Sequence, residues 1–399
     1  MLPVVDQALQ QKQDIVFACI NPQFKLKEDF RVKYLSDNYR LKTFYLHQIY
    51  QPNLLYHVFT AVVCKLSNLN TINRINILSQ IVRKTRNIIH DRLINRLYDI
   101  QWAKDMLTAS DIGCVVVDYV KIDRYIYKPI KEACVQGGIP IISIPHGFDT
   151  TYNDTWTTKT KATQNFEWKG RDWEWIDKII VASEGIADKY TRHGVDPSKM
   201  KVLGLPRFTP QWTDIYHSMI PQDSIIKETD ERLKIVFFDH NSNTYRGNPE
   251  AIYTTLKKLD QIPYINLIIK PHTRNQLSDP RLLTIGTIND SHSVNLIQWC
   301  DIVINYLSSI VLDALLLNKL FAYPKYFSDN TMRWEQYKAC WTFESEDELL
   351  AGIEAIYQQT QKIPYSSINI EEFFKHEIYG NSDPNVSGKY LEYINLNSV

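Results

Sequence analysis

The chain has 399 residues, with 45 basic and 45 acidic side chains and 44% hydrophobic residues. It therefore exceeds the size at which one hydrophobic core keeps growing, and it carries no net charge to draw it to nucleic acid or a membrane surface. Two domains are expected, and any anionic ligand has to be met by local groups. Six cysteines (Cys19, Cys64, Cys114, Cys134, Cys300, Cys340) show no CxxC spacing and several lie inside apolar runs, the pattern of reduced core thiols in a cytoplasmic protein.

The first residues, "MLPVVDQALQQKQD", lack a basic stretch followed by an apolar one, so no secretory signal is expected. Short β-branched runs then alternate with helical patterns, which predicts an α/β protein with mainly parallel sheets. In the first half the predicted strands are 14–20, 114–119, 140–146, 178–183 and 201–206. Residues 25 to 110 read as mostly helical, and the stretch 79–107 carries Arg83, Lys84, Arg86, Arg92 and Arg96. That basic face is either a solvated surface or a docking surface for an anionic glycolipid or bilayer headgroups. The strand pattern restarts at 234–239, 265–272, 282–286, 301–306 and 320–325, so two similar open-sheet domains are predicted, over 1–206 and 207–370. Residues 371–399 read as a helix, a Gly/Asn/Pro break and another helix. The most apolar long window, "INYLSSIVLDALLLNKLFAY", is interrupted by Asn305, two serines, Asp313, Asn318 and Lys319, and is not a membrane span. The 24 tyrosines and nine tryptophans suit a protein that packs against sugars, or simply fill core and surface.

Open α/β sheets bind ligands beyond the carboxyl ends of their strands, so polar residues there matter most. They recur in "DYVK" (118–121), "PHGFD" (145–149), "SEG" (183–185), "DHNSN" (239–243), "KPHTR" (270–274) and "NYLSS" (305–309), which predicts a cleft between two domains. Ser308 and Ser309 open a helix, where hydroxyls and free backbone N–H groups can hold a phosphate; the plain alternative is helix capping. Asp313, one turn further on, is placed to accept hydrogen bonds from ribose hydroxyls. Lys270, His272 and Arg274 add cationic donors, with Lys270 and His272 on one face of the strand end, where either could neutralise a leaving phosphate. Asp239 ends an apolar run on a polar loop, either as a working group held at a strand end or as an ordinary solvated turn residue.

Taken together, "PHG", the strand-end Asp239, "KPH" and the pattern "SSxxxDAL" resemble GT-B glycosyltransferases of bacterial surface polysaccharide assembly, most of all the retaining β-Kdo transferases of O-antigen and capsule synthesis. The resemblance implies two Rossmann-like domains facing a cleft, a last helix that crosses back to the first domain, and a CMP-β-Kdo donor held on the second domain. It also implies His272, Ser308 and Ser309 near the CMP phosphate and Asp239 as the catalytic carboxylate. Retention needs two inversions, so a carboxylate attacks first and the acceptor hydroxyl displaces it second. The base for the second step is left open among His146, Asp149, Glu167 and Glu184, with Glu167 preferred because it lies amid tryptophans.

The expected partners are a nucleotide-sugar donor and a glycan or glycolipid acceptor, with no nucleic acid. The expected location is the cytoplasm, with peripheral contact at the inner membrane. No cofactor is expected, and the sequence contains no DxD, so no metal is expected either. Three rivals stay open: transfer of another CMP-activated 2-keto sugar acid or of glycerophosphate from CDP-glycerol, a non-catalytic glycan-binding module, and a sugar-nucleotide 2-epimerase. The epimerase would need a pair of acid/base carboxylates that the strand ends do not display.

Overall fold

A computed structural model describes residues 1–19, 25–46, 98–118, 127–153, 173–224, 230–240, 247–272, 277–360, 363–381 and 383–398. The first half is built on four parallel strands in the order β3-β4-β5-β6, namely Val115–Asp118, Ile141–Ile144, Lys178–Val181 and Met200–Val202. Two shorter strands, β1 (Phe17–Cys19) and β2 (Thr43–Tyr45), pair with each other in a separate parallel sheet. The predicted strand at 14–20 is thus present but does not join the larger sheet.

The second half carries β7 (Leu233–Phe238), β8 (Ile265–Lys270), β9 (Thr287–Ile288), β10 (Ile302–Ile304), β11 (Leu320–Pro324) and β12 (Trp341–Phe343). They form one parallel sheet in the order β12-β11-β10-β7-β8-β9. The chain moves outward from β7 through β8 to β9, then returns to the other side of β7 and moves outward again. β7 and β10 therefore bound the point where the winding reverses, and the connections that leave their carboxyl ends diverge. A crevice opens there.

β7 is central, and its sequence says why. Ile235, Val236 and Phe237 are all fully buried, so both faces of the strand are covered and an unbroken apolar run is needed rather than an alternating one. The helix Pro249–Asp260, which follows β7, shows the complementary pattern. Asn248 caps it through the Ala251 N–H, Pro249 occupies its first turn, and Ile252, Leu256 and Leu259 line one buried stripe at helical spacing. Each such side chain contributes about 1.5–3 kcal/mol on burial, so Leu256→Asp would undo the helix's seat on the sheet.

The tail returns to the first half. Val386, Tyr390 and Leu391 of the last helix, Val386–Leu396, pack with Val4 and Ala8 of the first helix and with Ile142, Ile144 and Ile180 of the first sheet. The Tyr390 hydroxyl donates to the Gly204 carbonyl at 2.7 Å. Gly204 has φ +94°, and a Cβ there would lie 2.6 Å from the Ile378 carbonyl oxygen, so only glycine fits where the tail crosses.

Two expectations need correction. The predicted strand at 282–286 is mainly a 3-10 turn, Pro280–Thr284: Asp279 caps it through the Arg281 N–H, and Leu282 is apolar because it plugs the core. The strand in that region comes later, as β9. Strands β2 and β12 escaped the sequence reading because runs of three residues are too short to show an alternation. The basic residues Arg83 to Arg96 lie outside the described residues. Among the described residues no helix is long and apolar enough to cross a membrane.

Candidate active site

Asp239 is the first residue beyond β7. Its N–H extends the strand pairing by donating to the Lys270 carbonyl at 2.9 Å. The carboxylate was expected in a solvated loop, but Asp239 is only 4% exposed. It is held from both sides by Ser278, whose N–H donates to one oxygen and whose hydroxyl donates to the other, each at 2.6 Å. Burial pushes its pKa up; the Ser278 donors, the His240 N–H and the charge of His272 pull it back. The product is a carboxylate locked in one orientation at the switch point.

Two imidazoles flank it. The rings of His240 and His272 meet edge to face with centroids 5.2 Å apart. Burial, then the charge of His272, lowers the His240 pKa to about 4, so this ring is neutral at pH 7. The carboxyl ends of β7 and β10 are tied together just behind them. Asn305, fully buried, donates to the Phe238 carbonyl at 3.1 Å, and the Tyr306 hydroxyl donates to the His240 carbonyl at 3.2 Å.

Past β10 the chain turns through Leu307, Ser308 and Ser309 into the helix Ile310–Leu316. The expectation of free N–H groups holds here only in part. Asn305 Oδ1 accepts from the Leu307 and Ser308 N–H groups at 2.9 and 2.7 Å, and Ser308 Oγ accepts from Ile310 N–H at 3.3 Å. Ser308 therefore works as a cap. Ser309 occupies the N-cap position without a side-chain capping bond. Its hydroxyl remains available to a ligand.

Two further residues sit differently from their sequence reading. Asp313 was expected to meet ribose hydroxyls, yet it is only 2% exposed and pairs with Arg207 at 3.1 Å. Burial raises its pKa, and the Arg207 guanidinium is the main influence against that rise. Arg207 lies over the rings of Tyr216, 4.2 Å from the centroid, and Phe208, at 4.8 Å, so the ion pair is fixed on both sides. Lys270 shares the strand end with His272 but is itself buried; its ammonium donates to the Asp290 carbonyl at 2.9 Å, with the Asp290 carboxylate at 3.6 Å. Arg274 and Glu167 lie outside the described residues.

The first sheet presents its own polar edge. Asp118 ends β3, and His146 lies just beyond β4, with Nδ1 at 3.0 Å from each Asp118 oxygen. Asp149 belongs to a different network: it pairs with the buried Lys189 at 2.8 Å and accepts from the Thr151 hydroxyl at 3.0 Å. Glu184 is exposed in the first turn of the helix Glu184–Arg192. Several contacts join the halves here, two of them through side chains of Thr150 and Arg333. The Thr150 hydroxyl donates to the Leu307 carbonyl at 2.7 Å. Arg333, fully buried, donates through Nε to the Asp149 carbonyl at 2.9 Å and pairs with Glu377 at 3.2 Å.

No protein-family model matches the chain, and no curated protein matches it. Solved structures do match it along nearly its whole length. A Staphylococcus aureus MnaA–UDP structure superposes with a TM-score of 0.54 at 13% identity, covering 99% of this chain and 93% of that one. UDP-GlcNAc 2-epimerase from Neisseria meningitidis, bound to UDP-GlcNAc, gives 0.54 at 14%, covering 99% and 96%. Anabaena Alr3699/HepE in complex with UDP and glucose gives 0.55 at 10%, covering 99% and 95%. The fold is GT-B-like.

In this GT-B-like frame the two carboxyl edges, Asp118 and His146 on one side and Asp239 with Ser308 and Ser309 on the other, are joined through Thr150 and Leu307. Sequence reasoning missed Ser278, Asn305 as an organiser and Arg207. Only Asn305 left a signal, as a fully polar side chain at the end of an apolar strand.

Proposed function

We propose that the chain is a glycosyltransferase acting on a nucleotide-activated sugar and, at the finer level, that it transfers Kdo from CMP-β-Kdo to a bacterial surface glycan with retention. The observation that carries this reading is the placement of Asp239 at the winding reversal between β7 and β10, locked by Ser278 and adjacent to the Ser308–Ser309 turn. In this reading the donor nucleotide lies over the β10 end. Asp239 attacks the anomeric carbon, the bond to the CMP phosphate breaks, and the phosphate leaves with the electron pair. The acceptor oxygen then bonds to that carbon as the Asp239 ester bond breaks, restoring the carboxylate and the original configuration.

The surrounding residues suit these steps. Ser278 donors hold the carboxylate's attacking geometry, and His272, in ring contact with His240, would offset charge on the departing phosphate. The Ser309 hydroxyl is a donor for a phosphate oxygen. Burial of Asp239 strengthens every such interaction by keeping bulk water away.

A second reading, sugar-nucleotide 2-epimerisation, is favoured by the epimerase bound to UDP-GlcNAc among the solved neighbours. Incubating the protein with CMP-Kdo and candidate glycans, and separately with UDP-GlcNAc, discriminates the two. Release of CMP with a β-Kdo product in the NMR spectrum supports transfer. Epimerisation of UDP-GlcNAc without turnover of CMP-Kdo overturns it, and CDP-glycerol binding without CMP-Kdo binding assigns a different transfer.

A further inference from the structure

We propose that His146 is the base that removes the acceptor's proton in the second displacement, and that Asp118 is its positioning residue; the assignment rests on the donor reading above. β3 and β4 are adjacent and parallel, with Asp118 opposite Ile144, so the end of β3 and the turn after β4 meet at one edge of the first sheet. His146 Nδ1 is 3.0 Å from both Asp118 oxygens. An ionised carboxylate only accepts, so Nδ1 carries the proton and Nε2 becomes the ring's basic nitrogen. Asp118 thereby favours one tautomer and one orientation of the imidazole.

Location and solvation fit the role. The His146 side chain is 62% exposed and that of Asp118 39%, so an external hydroxyl can reach the pair. Only Gly147, Phe148 and Asp149 separate His146 from Thr150, whose hydroxyl bonds to Leu307, the residue before Ser308. Four residues of extended chain reach at most about 14 Å, so His146 lies within that reach of the contact that joins the two halves. Phe148, buried against Phe373, anchors the segment between them. Of the other sequence candidates, Asp149 is engaged by Lys189, Glu184 starts a separate helix, and Glu167 lies outside the described residues.

The step balances. Nε2 takes the acceptor's proton as its oxygen bonds to the anomeric carbon; the electron pair of the breaking ester bond returns to Asp239, and the imidazolium passes its proton to water. Among the described residues, the charged or titratable groups near the pair include the Tyr127 hydroxyl and Met1 amine near Asp118, and the Asp149–Lys189 ion pair further along the loop.

The test separates the two half-reactions. With CMP-Kdo and no acceptor, His146→Gln is expected to release the first equivalent of CMP as fast as wild type. With a glycan acceptor, its transfer rate is expected to fall about 100- to 1,000-fold, with kcat/KM for CMP-Kdo unchanged and the KM for CMP-Kdo falling alongside kcat. Asp118→Asn is expected to keep part of the transfer rate and to move the acid limb of the kcat profile to lower pH, because the imidazolium loses its carboxylate partner. Transfer by His146→Gln at the wild-type rate overturns the assignment of His146 while leaving the donor reading intact. An unmoved acid limb in Asp118→Asn overturns the positioning role. If wild-type protein releases no CMP, the donor reading falls and takes this assignment with it.

Discussion

The two sheets end in polar edges of opposite character. Beyond β3 and β4 lies an exposed pair, Asp118 and His146, open to water. At the ends of β7, β8 and β10 and in the helix that follows, four polar groups are sealed: Asp239 is 4% exposed, Asp313 2%, Lys270 6% and Asn305 0%, each with an assigned partner. The same position in the same kind of sheet therefore yields two solvents. A buried edge holds one geometry and magnifies its electrostatics, whereas a wet edge admits varied hydroxyls and tunes them little.

The sharpest way to break this contrast is at Asp239. Asp239→Asn is expected to lower transfer by several powers of ten, each tenfold being about 1.4 kcal/mol of barrier, while CMP still stabilises the protein against heat. Mass spectrometry of wild type quenched with CMP-Kdo should show a Kdo adduct on the peptide that contains Asp239, absent in the variant. Full activity in Asp239→Asn would make the sealed edge structural only.

Next in size is the ion pair beneath the donor-side helix. Arg207→Met strands the Asp313 carboxylate in the interior, at an expected cost of about 3–5 kcal/mol. Urea midpoints should show that loss, and adding Asp313→Leu should restore much of it. A single-variant cost below about 1 kcal/mol would mean that water reaches Asp313 after all.

A smaller effect is expected at Ser278, read as a pH shift. Burial already places the Asp239 pKa above the ordinary carboxylate value, and Ser278 opposes that rise. In the proposed mechanism the nucleophile works only when ionised, so CMP release should fail as pH drops through the raised folded pKa. Ser278→Ala removes the hydroxyl donor and should move that acid limb to still higher pH, whereas an unmoved limb would detach the limb from Asp239. The smallest effect belongs to the wet edge. His146→Gln should change stability by less than about 1 kcal/mol in the same urea experiment, since exposed ion pairs contribute little. A cost several times larger would place His146 in the structural framework and erase the contrast between the edges.

Much of this arrangement was legible residue by residue. The unbroken run before Asp239 predicted a buried parallel strand, because a strand covered on both faces needs apolar side chains at successive positions. "KPH" and "NYLSS" fell at strand ends for the same reason, and the restart of the strand pattern at residue 234 predicted the second sheet. What the chain could not display locally was which strands become neighbours. The return of β10 to the flank of β7 brings Asn305 to Phe238 and makes the crevice at Asp239.

Solvation followed from that long-range choice. Asp239 read as a loop carboxylate because its neighbours in sequence are polar, but it is closed off by Ser278, 39 residues away. Asp313 read as a ligand for ribose because it lies one turn into a helix, but Arg207, 106 residues earlier, claims it. Periodicity and turn chemistry are properties of a few consecutive residues, so they determined the elements and the ends at which chemistry gathers. Burial and ion pairing depend on what the fold lays against those ends, and that the tertiary structure alone decided.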